Sequence, residues 1–284
     1  LRTHNRFSAT SVDQLPHHLV GLWMYGHQFL IPIPDIDHTD YFLMLGANPI
    51  ASNGSLMTVP DVKKRIKSLQ GRGGKLVLLD PRRTETAEIA SEHLFVRPGT
   101  DALFLLALLH VLFEEGLTDT ADSAEYLEGW AKVEAMVVDF SPESSAAVTG
   151  LDSTSVRRIA REFATAESAV CYGRMGVSTQ EFGTLCQWLI QLINIATGNF
   201  DREGGSLFTR AALDQVEGPL GRPGHFDAFR SRVRGLPEFN GELPAAALAE
   251  EILTPGEGQI KSLVTLAGNP VLSTPNGRQM DEAL

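Results

Sequence analysis

The sequence predicts an α/β fold: two doubly wound, Rossmann-like parallel-sheet domains, the second of them incomplete. Three observations carry this. Short apolar runs at Phe42–Leu45, Lys75–Leu79, His93–Val96, Ala169–Arg174 and Ser262–Leu266 read as strands buried on both faces. Helical patterns separate most of them, and alternating strands and helices give parallel sheets with right-handed crossovers. Finally, one pattern occurs twice, each time closing an apolar run: Leu45-Gly46-Ala47-Asn48-Pro49-Ile50-Ala51-Ser52 and Leu266-Ala267-Gly268-Asn269-Pro270-Val271-Leu272-Ser273. Two such turns suggest two related halves, residues 1–172 and 173–284.

Residues 1–40 are polar and leave through a proline-rich exit at Ile31–Pro34. After the first strand, Pro60 suits the start of a helix with Val62, Ile66 and Leu69 on one face and Gly71 at its end. The next strand closes on Asp80-Pro81-Arg82-Arg83, and Thr84 can cap a following helix. The third strand ends at Pro98-Gly99-Thr100-Asp101, with Thr100 a natural cap for a helix over 101–115 that is apolar nearly all round and therefore central. Residues 118–166 read as helical, the last helix being capped by Asp152 or Ser153. Met175-Gly176 opens a long helix reaching Gly198-Asn199. It carries a stripe of uncharged polar residues, Gln180, Thr184, Gln187, Gln191 and Asn194, suited to solvent, a ligand or a polar seam. Residues 201–258 are rich in Gly and Pro, with one helix at Ala245–Leu253, as in a functional loop or lid.

Composition narrows the function. A length of 284 residues suggests about two domains. The net charge of −11 argues against nucleic-acid binding but leaves room for an anionic cofactor held by backbone amides and a few Arg. Cys171 and Cys186 are the only cysteines and lack C-x-x-C spacing, so no zinc or iron–sulfur site is expected within the chain. The apolar stretch Ala102–Phe113 is interrupted by His110 and falls short of the ~20 residues a membrane span needs, so no transmembrane segment is expected. The chain opens Leu-Arg-Thr-His without an initiator Met and stops in what reads as the first turns of a helix. It is read as a piece of a longer protein, cytoplasmic, or periplasmic if an export signal preceded it.

Ligands of doubly wound sheets bind beyond the carboxyl ends of the strands, where these motifs lie. Glycine lets backbone approach a diphosphate and Pro49 fixes the turn, while Asn48 and Ser52 offer neutral hydrogen bonds beside Gly46. Asp80 can take two hydrogens from a guanine edge or accept a ribose hydroxyl, and Arg82 can stack on a base or pair with phosphate. Asp101 suits either a helix first turn or a grip on a base. Arg222, Arg230, Arg232 and Arg234 form a basic cluster that either steers an anion or is simply solvated. The histidines, including His17-His18, show no ligand spacing, and Ser55 lacks a base in sequence. No catalytic or metal-ligating residue is assigned within the chain.

Six segments, LGANP (45–49), LLDPRRTETA (78–87), VRPGTDALFLLALLHVL (96–112), YGRMG (172–176), IATGNF (195–200) and LAGNPVLSTPN (266–276), together resemble the molybdopterin oxidoreductase family, the formate dehydrogenase, nitrate reductase and dimethyl sulfoxide reductase superfamily. The resemblance implies two molybdopterin guanine dinucleotides around one molybdenum or tungsten, each guanosine diphosphate arm held by one of two homologous α/β domains. It implies a first cradle of Gly46, Asn48, Pro49 and Ser52, with Asp80 and Arg82 reading the nucleoside and Gly99 and Asp101 completing it. A second cradle is implied at Gly176, Gly268, Asn269, Pro270 and Ser273, with Pro275 nearby. A 4Fe–4S cluster and the metal ligand are implied upstream of residue 1. So are a small-molecule redox substrate and an electron-transfer partner or subunit. Where formate dehydrogenases carry Arg-Gly-Gln-Asn, this chain has Asp201-Arg202-Glu203-Gly204-Gly205 running into Ser206, a departure that counts against formate. Two rival expectations are a non-catalytic relative, such as the large iron–sulfur subunit of respiratory NADH dehydrogenase, and a nicotinamide-dependent dehydrogenase. The second lacks its G-x-G-x-x-G turn.

Overall fold

Four strands form one wholly parallel sheet: β1 (Tyr41–Leu45), β2 (Lys75–Leu79), β3 (Glu92–Leu94) and β4 (Ala169–Gly173). The computed structural model describes residues 3–219 and 221–284 of the chain. It divides into two compact units, residues 31–210 and a second made of 3–30 with 211–219 and 221–284. The boundary expected at 172/173 falls inside β4, within the larger unit rather than between the two.

In the larger unit the spatial order is β3-β2-β1-β4, with Tyr41 opposite both Lys75 and Ala169. All five residues of β1 and of β4 are buried, which is why both strands read as continuous apolar runs rather than alternations. Phe42, Met44, Leu76, Leu78, Val170 and Tyr172 point to one face. There they pack on Val62, Ile66 and Leu69 of helix α1 (Val62–Gly71), the three residues that the sequence places on its apolar stripe. Ile66 alone, fully buried, contributes about 1.5–3 kcal/mol of apolar burial. Helix α2 (Asp101–Glu114) is buried on almost every side, packed by residues 142–149 and by α3 (Ser153–Thr165) and α4 (Gly183–Ala196).

Several local expectations change. Residues 84–90 make consecutive turns, not a helix, although the Thr84 hydroxyl does accept the Ala87 N–H at 3.1 Å. Thr100 does not cap α2; its hydroxyl donates to Arg97 O at 2.7 Å. Asp152 does cap α3, accepting the Ser155 N–H at 3.0 Å. The long helix after Gly176 is broken into a turn at Met175–Ser178 and α4. Gly183 packs so tightly on the first piece that a Cβ there would lie 2.0 Å from Ser178 O. The polar stripe acquires a structural role from this geometry. β4 is an edge strand, and Asn194 closes that edge: its Oδ1 accepts Cys171 N–H at 2.8 Å and its Nδ2 donates to Cys171 O at 2.9 Å. Asn199 Oδ1 likewise accepts Ala169 N–H at 3.0 Å, while its Nδ2 donates to Thr197. Side-chain amides thus stand where a further strand would pair.

The smaller unit holds a helix at Leu15–Tyr25, an antiparallel pair at Phe226–Arg230 and Pro237–Phe239, and the expected helix as a short 3₁₀ turn, Ala245–Ala247, leading into Leu248–Leu253. Leu248, Ala249, Ile260 and Met280, the last from the helix Gly277–Ala283, form a small core. The strand expected at Ser262–Leu266 is not formed: these residues carry no regular structure and are exposed, Leu266 to 90%. An apolar run signals burial but supplies no partner, and none packs on it in this unit. Three of the four arginines of the basic cluster are paired locally, Arg234 with Glu250 at 2.6 Å, Arg232 with Glu251 at 3.3 Å and Arg230 with Asp227.

Candidate functional site

The carboxyl ends of the four strands converge in the larger unit, and the central feature there is a pair of glycines. β1 runs into Gly46, whose φ of +52° is the left-handed conformation glycine adopts freely. Gly46 N–H donates to Leu79 O at 3.0 Å, and Gly46 O accepts Gly176 N–H at 2.9 Å. A Cβ at Gly46 would lie 2.7 Å from Val177 N and 2.8 Å from Gly176 Cα; a Cβ at Gly176 would lie 2.7 Å from Gly46 Cα. Two backbones therefore touch between β1 and β4. This is also the point where the strand order reverses direction, the crevice in which open α/β sheets take their ligands. The sequence assigns Gly46 and Gly176 to different cradles, whereas the structure brings them together. Gly173, which sequence reasoning passes over, belongs with them: a Cβ there would lie 2.5 Å from both Ile190 and Val177 side chains.

Around this pair stand the other residues of the first cradle. Asn48 precedes a single helical turn, Pro49–Ser52, with Pro49 buried and Ser52 exposed. Its side chain is engaged with its neighbours: Oδ1 accepts Thr86 Oγ–H at 2.7 Å and Thr86 N–H at 3.3 Å, and Nδ2 donates to Glu85 at 2.7 Å. Asn48 thus ties the 84–90 turns to the end of β1, and the Asn48 bond holds the Glu85 carboxyl below the usual carboxylate range. Asp80, 9% exposed, accepts the Arg82 N–H at 2.8 Å, which locks the turn leaving β2. The Arg82 guanidinium itself is exposed, 4.0 Å from Glu85.

Gly99, at φ +79° with open space where a Cβ would be, turns the chain into α2. The first residue of that helix, Asp101, is only 5% exposed. Burial raises its carboxyl, the nearby charge of Asp80 adds to the rise, and a hydrogen bond from Gln180 Nε2 at 2.9 Å opposes it. The sequence lists Gln180 only as one member of a helical stripe; its position in a turn beside Asp101 depends on the break in that helix. The site thus offers two mostly buried carboxylates, an exposed Arg and glycine main chain at the strand ends. Such a set matches a ligand with N–H donors at one end and phosphate at the other. A separate cavity of about 270 Å³ lies between residues 33–37, 58–60, Arg65 and 207–209, and contains none of these residues.

The second Asn-Pro turn lies in the smaller unit. It repeats the first in detail: Asn269 precedes a single helical turn, Pro270–Ser273, and Ala267 takes the left-handed conformation at φ +55° where the first copy has Gly46. Gly268 is therefore not the residue in the special conformation. Asn269 differs from Asn48 in capping its own turn, accepting Val271 N–H at 3.1 Å, and Ser273 Oγ donates back to Asn269 O at 2.7 Å. Gly268, Asn269, Ser273 and Pro275 are exposed.

Among the described residues no cluster of His, Cys, Asp or Glu could hold a metal ion, and no helix is long and apolar enough to cross a membrane. Comparison with known proteins shows the family. The model of the molybdopterin oxidoreductase family matches residues 4–284. Formate dehydrogenase H of Escherichia coli is 31% identical over 186 residues, 66% of this chain and 25% of that protein. Nitrate reductase of Symbiobacterium thermophilum is 27% identical over 269 residues, 86% of this chain and 35% of that protein. Among solved structures, acetylene hydratase from Pelobacter acetylenicus superposes with a TM-score of 0.59 at 24% identity, covering 71% of this chain and 26% of that one, a likeness of fold. The chain spans 23–38% of the length of the curated relatives it resembles. The rival expectation of a non-catalytic respiratory scaffold finds no support in these relatives. The chain belongs to the molybdopterin oxidoreductase family.

Proposed function

We propose that this chain is the part of a larger molybdenum- or tungsten-dependent oxidoreductase that grips the nucleotide tails of its cofactor, a bis-molybdopterin guanine dinucleotide. One observation carries the reading: at the switch point of the sheet, Gly46 and Gly176 pack backbone on backbone, so that partly exposed main chain rather than side chain stands at the ends of β1 and β4, as close approach to a diphosphate requires. The residues present fit such a group. Exposed Arg82 would pair with phosphate or stack on the base, Asp80 and Asp101 would accept the donors of a guanine edge, and the backbone at Gly46 and Gly99 would line the diphosphate. Bound, the cofactor supplies two-electron chemistry at the metal, and the polypeptide orients it and tunes its electrostatics. The repeated turn at Gly268, Asn269, Pro270, Ser273 and Pro275 is read as the corresponding grip on a second tail. Segments of the longer parent would complete a second α/β domain around the exposed run Leu263–Leu266.

In the parent, a small-molecule redox substrate, an upstream 4Fe–4S cluster and an electron-transfer partner subunit belong to the same reading. The test on this chain is titration calorimetry with GDP, ADP and pyrophosphate. Binding of GDP stronger than either, lost in Asp80→Asn, is the expected result; equal weak binding of all three refutes the assignment. For the full-length parent, metal analysis should return about one molybdenum or tungsten per chain.

A further inference from the structure

Most of the polar stripe that the sequence places on the long helix has a structural partner. Asn194 seals the edge of β4, and Gln187 donates to Ser178 Oγ at 2.9 Å inside the core. Gln180 is different. It sits in the 179–182 turn between the two helical pieces, its Nε2 donating to Asp101 Oδ2 at 2.9 Å, while its Oε1 is buried and takes no hydrogen bond. A primary amide with one end satisfied and the other orphaned is held in that orientation by the partner at the satisfied end, here a carboxylate.

The chemistry of that pair is specific. An ionised carboxylate only accepts, so only the NH₂ end of the amide can face it; a protonated Asp101 could instead donate to Gln180 Oε1 and turn the amide over. The groups facing Asp101 are Asp80 from the end of β2, Cys186 from α4 and the Gln180 amide. Of these side chains only the amide donates a hydrogen bond to the carboxylate, which also accepts a backbone N–H, and of the two donors the amide lowers the carboxyl more. Guanine presents two adjacent N–H donors, at N1 and N2, and a carboxylate accepts both only when ionised; hypoxanthine lacks the second donor.

We propose that Gln180 is a positioning residue for base selection: it fixes Asp101 as an ionised acceptor and so sets the preference for guanine over a purine lacking the 2-amino group. This rests on the nucleotide-gripping reading above. The test is calorimetric titration of the chain with GDP, IDP and pyrophosphate across pH 5–8, for the wild type, Gln180→Met and Gln180→Glu, with thermal unfolding of each. The wild type should prefer GDP to IDP. Both variants should lose that preference by roughly tenfold or more at pH 7, the scale of one hydrogen bond to a charged group. Pyrophosphate binding should stay unchanged. In Gln180→Met the pH below which GDP selectivity disappears should move upward, since the carboxylate has lost its stabilising donor. Gln180→Glu keeps the shape of the side chain, so its result stands even if the methionine variant unfolds. Three outcomes overturn the proposal: selectivity intact in both variants, GDP and pyrophosphate weakened equally, or selectivity lost with no movement of the pH midpoint. A wild type that binds GDP no better than pyrophosphate instead refutes the nucleotide reading, and the role of Gln180 falls with it.

Discussion

Three glycines at the candidate site separate the two reasons a position demands glycine, and alanine at each gives a graded result. Gly99 has φ +79° and nothing within 4 Å of its would-be Cβ, so Gly99→Ala should cost only the left-handed conformation, about 1–2 kcal/mol. Gly176 lies in the helical turn Met175–Ser178, where alanine is conformationally welcome, but its Cβ would stand 2.7 Å from Gly46 Cα. Gly176→Ala should therefore cost only the forced separation of two backbones, about 1–3 kcal/mol by analogy with overpacked cores. Gly46 meets both demands, φ +52° and contacts at 2.7–2.8 Å, so Gly46→Ala should cost roughly the sum, about 2–5 kcal/mol.

Equilibrium urea unfolding at constant slope measures all three. The double variant of Gly46 and Gly176 should be less destabilised than the sum, by at least ~0.5 kcal/mol, because the first methyl already parts the chains that the second would strike. A neutral Gly176→Ala, or a Gly99→Ala as costly as Gly46→Ala, would refute the argument that a backbone-to-backbone approach defines this crevice.

Replacing Asn194 by Leu leaves both Cys171 N–H and Cys171 O buried without partners and should cost about 2–6 kcal/mol, at ~1–3 kcal/mol for each orphaned group; faster hydrogen exchange at the Cys171 amide identifies the cause. Asn48→Ala removes the donor that lowers the Glu85 carboxyl, so the Glu85 titration followed by carbon NMR should move up; an unmoved titration refutes the contact. Asp152 is held down to about 2 by hydrogen bonds, first from Ser155 and then Thr154, so its stabilisation is full above the ordinary Asp value near ~3.9 and is lost as pH falls towards 2. Asp152→Ala should flatten the stability profile within that acidic window, and denaturant midpoints measured against pH check it.

Much of the larger unit is legible in sequence because its strands are buried on both faces. Tyr41–Leu45, Lys75–Leu79 and Ala169–Gly173 read as unbroken apolar runs for that reason, and α2 reads as central because it is packed on nearly every side. What sequence misses is decided by tertiary contact. Helical periodicity runs smoothly through Gly176–Asn194, yet the chain breaks at 179–182, where Gly183 packs on Ser178. On a helical wheel the stripe of amides resembles a solvent face lacking charge; only the position of β4 as an edge strand shows what Asn194 pairs with. The site was legible as types of residue at strand ends. The contact of Gly46 with Gly176 was not, because it depends on β4 lying beside β1, a matter of crossover order that no local pattern records.

The duplicated turn shows where local encoding ends. Both copies put a left-handed residue two positions before Asn and a Pro-started helical turn after it, although the first uses Gly46 and the second Ala267 for the left-handed position. The eight-residue pattern therefore specifies backbone shape even through a non-glycine residue that pays a conformational cost. It does not specify a site. At the first copy, Asn48 is drawn outward to Thr86 and Glu85 by turns that follow the neighbouring strand, and Gly46 has a second backbone against it. At the second, Asn269 turns back on its own N–H groups, since the run Leu263–Leu266 lies exposed with no strand beside it. On the proposed reading, pairing that run in a sheet should release the Asn269 amide from its own turn, as the sheet around β1 does for Asn48. Where Asn269 points in the full-length parent is therefore a direct measure of whether the repeat encodes two grips or one grip and a shared shape.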